Sequence, residues 1–275
     1  MIVERNSDSD SAEHLSVMMD GEPVVVRLSV SGPEDGAPLL VMHGWGSSTL
    51  LMRPMIDRLS DTFRVAAFDF PGHGESPVPK KGYGMAGHLD IVHGVLAHLG
   101  WSSYAIAGHS NGGRVALAHA AKSSDDIQFL ALIAPSGIRR HRSLSYYIRS
   151  WSARILKAPF VLLPGPLQAL GLDWLRHSLV WKLLGSSDYR SLHGVMRETF
   201  VQTVNHYVDN VLPDVKASVL LLRGERDEAI TNEQIERMNY LLPNAGAYEV
   251  PGAGHYAHID RPDVVATAIR SLHTG

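Results

Sequence analysis

The sequence predicts an α/β protein with a mostly parallel sheet of about eight strands, flanked by helices and carrying an inserted helical cap. Short apolar runs alternate with amphipathic segments along most of the chain, which indicates strands joined by helices and a sheet covered on both faces. This alternation stops between residues 137 and 206, where helical patterns occur without a convincing buried strand. We therefore assign residues 1–136 and 207–275 to a core and residues 137–206 to a cap.

The predicted elements follow one another in a regular order. Residues 1–14 are rich in Ser and Asp and are expected to form a loose tail or a frayed lead-in, followed by a hairpin with its turn at Asp20-Gly21. Periodicity then predicts six strands and five core helices. The strands are 39–42, 64–68, 103–107, 128–134, 219–223 and 247–250; the helices are 49–60, 86–99, 111–121, 232–242 and 262–272. Three cap helices are predicted at 144–157, 166–184 and 187–208.

Composition excludes several classes of protein. The 275 residues have an ordinary apolar content of 45%, and a formal net charge of −3 gives no sign of nucleic-acid binding. The absence of cysteine excludes disulfides, a thiol nucleophile and cysteine-ligated metal. The segment Met1–His14 lacks a signal-peptide pattern, and no apolar run approaches the ~18 residues of a membrane span. We expect a cytoplasmic protein without stable membrane insertion.

A serine follows the predicted strand 103–107 in the motif Gly108-His109-Ser110-Asn111-Gly112. Strand, sharp turn and helix in this order present a hydroxyl at the carboxyl end of a strand, where glycines leave room for the bend. The pattern indicates nucleophilic catalysis by Ser110. The alternative is a loop and a helix N-cap, because a short motif can arise by chance in a chain with 25 glycines.

Backbone donors for an oxyanion are predicted at two places. One is the N–H of Asn111, directly after Ser110. The other is the N–H of Trp45, because His43-Gly44-Trp45-Gly46 follows the buried strand 39–42 and its glycines let the backbone approach a substrate. The alternative is that Trp45 is only an apolar plug in a strand-to-helix turn.

An acid and a base complete the predicted site. Asp227 follows the strand 219–223 and can orient a histidine, although Glu225 or Glu228 could take that role. His255 follows the last strand and can accept the serine proton near neutral pH. His258 is the second candidate for the base. The chain has 15 histidines, so the order serine, acid, histidine, each after a strand, carries the assignment.

Taken together, these segments resemble the α/β-hydrolase family over about residues 20–272. Asp69-Phe70-Pro71-Gly72-His73-Gly74-Glu75-Ser76 is similar to a family segment after the fourth strand, and Ala134–Gly137 stands where the family often inserts a cap. Asp69 and His73 are expected to be structural. The resemblance implies a serine hydrolase that acts on carboxylic esters through an acyl-enzyme, without a cofactor. No metal is expected at His43, His73, His109 or His255, since each histidine is explained by its motif.

Other activities stay open under the same resemblance. A serine at position 110 argues against the branches that attack with aspartate, the dehalogenases and epoxide hydrolases. The alternative is hydrolysis of a carbon–carbon bond in ring-cleavage (dienoate) products, although that branch usually has Trp where Tyr256 stands. A non-catalytic ligand-binding protein of this fold is the third reading. The expected partner is a small-molecule ester, and a homodimer is left open.

The predicted cap carries ten basic and three acidic side chains. They form either the solvated face of amphipathic helices or the mouth of an apolar pocket for an ester, including one with a carboxylate, or contact an anionic membrane surface. The cluster Arg139-Arg140-His141-Arg142 is too short to choose between these readings.

Overall fold

Eight strands form one open sheet at the centre of the protein. The structure, a computed structural model, describes residues 11–139 and 192–274, with single helical positions at 151, 155, 159, 165 and 167. The strands are Ser11–Met19 (β1), Glu22–Ser31 (β2), Ala37–Met42 (β3), Phe63–Phe68 (β4), Tyr104–His109 (β5), Ile127–Ile133 (β6), Ser218–Gly224 (β7) and Ala245–Val250 (β8). Their order across the sheet is β1-β2-β4-β3-β5-β6-β7-β8. The predicted fold class is confirmed.

Helices cover both faces of this sheet. Those in the described part of the chain are Thr49–Leu59 (α1), Met85–Leu99 (α2), Asn111–Ser123 (α3), Gly194–Val204 (α4), Asn232–Leu241 (α5), Ala257–Asp260 (α6) and Pro262–Thr274 (α7). Side chains of β3 alternate between the faces: Leu40 and Met42 pack with α2, α3 and α5, whereas Leu39 and Val41 pack with α1 and α7. Both faces of a central strand are therefore dry, which explains why it reads as an unbroken apolar run.

Parallel pairing brings the chemistry-bearing loops to one edge of the sheet. β1 and β2 form the predicted hairpin, and β2 pairs antiparallel with β4. The pairs β4–β3, β3–β5, β5–β6, β6–β7 and β7–β8 are all parallel. The loops that leave the carboxyl ends of β3, β5, β7 and β8 therefore meet at the same edge.

Three differences from the sequence predictions concern the ends of elements. The prediction of a loose tail over residues 1–14 was wrong for its last four residues, because residues 11–14 pair with β2. Helix α6 was not predicted, since four residues are too few to show periodicity. Helix α4 lies inside the third predicted cap helix, 187–208. The predicted cap helices at 144–157 and 166–184 fall almost wholly outside the described residues. The cap boundaries stay a prediction.

Gly112, at the start of α3, tests how closely β3 and α3 approach. A Cβ there would collide with the carbonyl groups of Met42 and His43, which belong to a buried strand end and cannot move aside. Gly112→Ala should therefore lose about 1–3 kcal/mol of unfolding free energy through overpacking, which outweighs a gain of about 1 kcal/mol in helix propensity. Thermal unfolding measures the change, at roughly 2–4 °C per kcal/mol.

The matched control is Gly246→Ala on β8, because no atom lies within 4 Å of a Cβ at that position. Its unfolding free energy should stay within about 0.5 kcal/mol of the starting protein. Equal melting temperatures for the two variants would contradict the close approach at Gly112.

Candidate active site

Ser110 occupies a strained turn between β5 and α3. Its φ is +49°, a left-handed conformation that costs a residue with a side chain about 1–2 kcal/mol. The turn is held by three hydrogen bonds: the Ser110 N–H donates to the Ile133 carbonyl at 3.0 Å, and the Ser110 carbonyl accepts from Arg114 N at 3.1 Å and Ser136 N at 3.0 Å. A Cβ at Gly108 would lie 2.8 Å from the carbonyl group of Gly112, so the predicted need for space in this bend is met by glycine.

Asp227 and His255 form a hydrogen-bonded pair at the same edge of the sheet. His255 Nδ1–H donates to Asp227 Oδ2 at 3.0 Å. The second oxygen of Asp227 accepts the N–H groups of Ala229 at 2.8 Å and Ile230 at 3.0 Å. A hydrogen on Nδ1 leaves the Nε2 of neutral His255 as the basic nitrogen, which is the tautomer a general base needs.

The environment of Asp227 keeps its carboxyl group ionised. The side chain is fully buried. Burial alone would raise the pKa of Asp227, but the hydrogen bonds from His255, Ile230 and Ala229, with the charge of His255, outweigh burial and hold that pKa below its ordinary value. The alternatives for the acid lie elsewhere: Glu225 accepts the Gly252 N–H in an exposed bond, and Glu228 is exposed.

His109 joins the serine turn to the histidine loop. Its Nε2–H donates to the carbonyl of His255 at 3.1 Å, and the two ring centroids are 4.9 Å apart. Among the hydrogen bonds of the described residues, none joins the Ser110 hydroxyl to the His255 imidazole. Bonds of this kind are often long without substrate and tighten in the reacting complex. His109, next to Ser110 in the chain, thus contacts His255, which is hydrogen-bonded to Asp227.

The loop after β3 passes directly against the serine. A Cβ at Gly44 would lie 3.2 Å from Ser110 Cβ, and Ser47 N donates to the Gly44 carbonyl at 3.2 Å to close the turn. Across the described part of the chain, no acceptor takes a hydrogen bond from the N–H of Trp45 or of Asn111. Two unused backbone donors in the loops beside a serine are the kind of groups that an oxyanion would need.

Two histidines to which the sequence analysis assigned no role in the site hold this region. His43 Nδ1–H donates to the Gly44 carbonyl at 2.7 Å, while its Nε2 accepts the Phe70 N–H at 3.0 Å. His88 Nδ1–H donates to the Gly84 carbonyl at 2.8 Å, and its Nε2 faces the Asn111 amide nitrogen at 3.4 Å. Burial lowers the pKa of each imidazole to about 4, so both stay neutral. The bonds to Gly44 and Gly84 are local, whereas the contacts with Phe70 and Asn111 are tertiary, and only the motif position of His43 gave any signal for this role.

The remaining predicted residues have structural positions. Asp69 accepts the N–H groups of Thr49 at 2.6 Å and Glu75 at 3.0 Å. The ring of His73 lies 4.7 Å from the Trp45 ring, edge to face. His258, the second candidate for the base, is completely buried against His109 at a ring distance of 4.4 Å. These positions agree with the structural roles expected for Asp69 and His73, and they remove His258 from contact with solvent.

Helix α4 contacts the loop that follows β3. The ring of Phe200 is 5.2 Å from the Trp45 ring, and the hydroxyl of Thr199 accepts the Tyr83 N–H at 3.2 Å. Trp45 therefore contributes both an unused N–H and an apolar ring, so the two readings of this residue are compatible.

Neither a metal-binding cluster nor a membrane-spanning helix occurs among the described residues. No group of three or more His, Asp or Glu side chains there is arranged to hold a metal ion. In the same residues, no helix combines the length and the apolar character that crossing a bilayer requires.

Comparison with known proteins places this geometry in a family. The family model described as alpha/beta hydrolase fold matches residues 37–262. A curated relative, 2-(acetamidomethylene)succinate hydrolase of Mesorhizobium japonicum, is 26% identical over 264 residues, covering 90% of this chain and 91% of the relative.

Solved structures share the fold. A thermophilic esterase from Thermogutta terrifontis matches with a TM-score of 0.70 and 22% identity, covering 96% of this chain and 98% of the esterase. A 2-hydroxy-6-oxo-6-phenylhexa-2,4-dienoate hydrolase from Rhodococcus sp. strain RHA1 matches with a TM-score of 0.69 and 18% identity, covering 96% and 100%. Because the family model spans most of the sequence, the chain belongs to the α/β-hydrolase fold family.

Proposed function

We propose that this protein hydrolyses carboxylic esters of small to medium, apolar substrates through an acyl-enzyme. One observation carries the proposal: a serine in a left-handed turn, with two unused backbone N–H groups in the same loops, follows His109 in the chain. The ring of His109 contacts the half-buried imidazole of His255, which is hydrogen-bonded to the buried carboxylate of Asp227. These are the nucleophile, base, orienting acid and oxyanion donors of acyl transfer. The esterase from Thermogutta terrifontis has the same fold, which is consistent with this chemistry.

The proposed reaction has two halves. Ser110 Oγ attacks the carbonyl carbon as its proton passes to His255 Nε2, and the oxyanion is held by the N–H groups of Trp45 and Asn111. The carbon–oxygen bond to the alcohol then breaks, and the alcohol takes the proton from His255. Water, activated by His255, attacks the acyl group and releases the acid and free Ser110. Asp227 keeps the imidazole oriented and stabilises its charged form.

Carbon–carbon bond hydrolysis is the second candidate. The same three residues would serve it, and the Rhodococcus dienoate hydrolase matches the chain as well as the esterase does. The curated relative is named for hydrolysis of 2-(acetamidomethylene)succinate, so one member of the family acts on a substrate that is not an ordinary ester. Tyr256, the residue after His255, argues against carbon–carbon bond hydrolysis, because the enzymes with that activity usually have Trp at this position.

Ser110→Ala should abolish ester turnover, because no other group replaces the attacking oxygen. Steady-state hydrolysis of p-nitrophenyl butyrate should fall by about 10⁵–10⁶-fold, and a fluorophosphonate probe should no longer label the protein. The matched control is Ser136→Ala, a neighbouring serine whose backbone N–H still donates to Ser110. Full turnover by Ser110→Ala would refute the assignment of Ser110 as the nucleophile. Failure of the fluorophosphonate probe to label the unaltered protein would favour a non-catalytic ligand-binding protein.

Asp227→Asn should lower kcat by about 10³–10⁴-fold, because the amide no longer favours the required tautomer or the imidazolium. It should also change stability in acid. The pKa of Asp227 is lower in the folded than in the unfolded chain, so its contribution is present above the ordinary pKa near 3.8 and is lost as pH falls further.

Urea unfolding between pH 5 and pH 2 measures this effect. The unaltered protein should lose more unfolding free energy over that range than Asp227→Asn does. Asp263→Asn, at an exposed carboxylate, is the control and should follow the unaltered protein. If the unfolding free energy of Asp227→Asn and of the unaltered protein fell equally with pH, the ionised carboxylate of Asp227 would not be stabilised by the fold as described.

A comparison of substrates separates the two activities. We expect kcat/KM for short p-nitrophenyl esters to exceed kcat/KM for a 2-hydroxy-6-oxo-dienoate. Hydrolysis of the dienoate is measured by the loss of its colour. A higher kcat/KM for the dienoate would replace ester hydrolysis with carbon–carbon hydrolysis as the function of the same site.

A further inference from the structure

Arg114 is a buried cation one helical turn beyond Ser110. Its backbone N–H donates to the Ser110 carbonyl at 3.1 Å, and the whole residue is only 7% exposed. Long side chains on a helix lean toward its N-terminus, which for α3 is the serine turn. The stem packs on Gly137, where a Cβ would lie 3.0 Å from Arg114 Cγ and 3.3 Å from Nε. Arg114 thus lies between the nucleophile and the start of the predicted cap.

The charge of this guanidinium is incompletely compensated. One terminal nitrogen donates to the carbonyl of Thr203, in the last turn of α4, where the helix dipole favours a cation. No Asp or Glu of the described residues forms an ion pair with Arg114, and its Nε–H has no partner. Burial lowers the pKa of Arg114 to about 10, which records the loss of hydration. Buried arginines are normally paired, so this one is short of an anion.

Further unpartnered polar atoms belong to the surroundings of the guanidinium. Thr203 Oγ1 is buried without a hydrogen bond, on the residue whose carbonyl already binds Arg114. Asn111 Oδ1 is likewise buried and unpaired, and residues 111 and 114 lie on one face of α3. The charge of Arg114 also acts on His88, the partner of the Asn111 amide. The unpaired atoms therefore belong to residues around the N-terminal end of α3.

We propose that Arg114, assisted by the Thr203 hydroxyl, binds a carboxylate carried by the acyl part of the substrate. This inference rests on the proposed function and narrows its substrate class to esters with a second, free acid group. A guanidinium offers a planar pair of N–H donors that fits a carboxylate, and a hydroxyl can donate a further hydrogen bond. The same cation ties α4 to α3, so an occupied site would also fix α4 over Trp45.

Arg139 provides a matched comparison in the same neighbourhood. It is exposed, and its guanidinium lies 5.0 Å above the Tyr207 ring. Its charge is therefore hydrated and stacked, in contrast to that of Arg114. A carboxylate preference that depended on general positive charge would respond to either arginine, whereas a built site responds to Arg114 alone.

The test compares two esters of matched shape. Monoethyl esters of dicarboxylic acids with two to four methylenes are paired with neutral esters in which an isopropyl group replaces the carboxylate. The quantity measured is the ratio of kcat/KM for the acid ester to that for its neutral partner. We expect the unaltered protein to favour at least one acid ester, Arg114→Met to reduce the ratio about 10- to 100-fold, and Arg139→Met to leave it unchanged.

Three results would overturn the site. The first is a ratio no greater than one for every chain length. The second is an equal fall of kcat/KM for the acid ester and for its neutral partner in Arg114→Met. The third is a fall of the ratio in Arg139→Met in place of Arg114→Met. Should Arg114→Met fail to fold, Arg114→Lys is measured in its place. Lysine keeps the charge but not the Nε donor, so a partial fall in the ratio supports the site and an unchanged ratio contradicts it.

A binding measurement separates this inference from the proposed function. Succinate and glutarate are titrated into Ser110→Ala by calorimetry, with and without Arg114→Met. Binding that disappears with Arg114→Met supports the site even if no ester is hydrolysed, in which case the proposed ester activity alone fails. Turnover of neutral esters with no binding of either diacid, together with no preference for acid esters, leaves the function standing and removes the carboxylate site.

Discussion

The left-handed backbone of Ser110 is the constraint on which the site depends. A residue with a side chain resists this conformation, so the surroundings must hold it from several directions. Ile133 fixes the entering strand, while Ser136 and Arg114 both bind the Ser110 carbonyl. Gly112 permits the closest approach of α3 to the end of β3. The tight packing of β3, β5 and β6 around Ser110 therefore holds its strained backbone in place.

Buried neutral imidazoles surround the candidate catalytic pair. Burial lowers the pKa of His109 well below its ordinary value and that of His258 to about 4, and His43 and His88 behave alike. His43, His88 and His109 make hydrogen bonds in this region, whereas His258 makes ring contacts only, and these neutral rings add no positive charge beside His255. Among the described residues in contact with this region, Asp227 supplies a carboxylate and Arg114 a guanidinium that has no ion-pair partner there.

Much of this architecture could be predicted from local sequence, for physical reasons. A strand covered on both faces must be apolar throughout, so 39–42 and 219–223 were recognisable, and parallel pairing then placed Trp45 and Asp227 at one edge. The serine motif predicted the sharp turn at Ser110, because a Cβ at Gly108 or Gly112 would collide with neighbouring backbone carbonyl groups. The roles of His88, His109 and Arg114 depend on partners between 23 and 146 positions away in the sequence, which no periodicity encodes. Residues 11–14 were misread because a polar edge strand resembles a loose tail.

The most direct test of the account is to trap the acyl group itself. The protein is mixed with a slowly hydrolysed activated ester, p-nitrophenyl pivalate, quenched in acid and analysed by intact mass and peptide mapping. We expect a burst of nitrophenol equal to the amount of enzyme present and a pivaloyl group on the peptide that contains Ser110. Turnover without any adduct at Ser110, or an adduct on another residue, would contradict it.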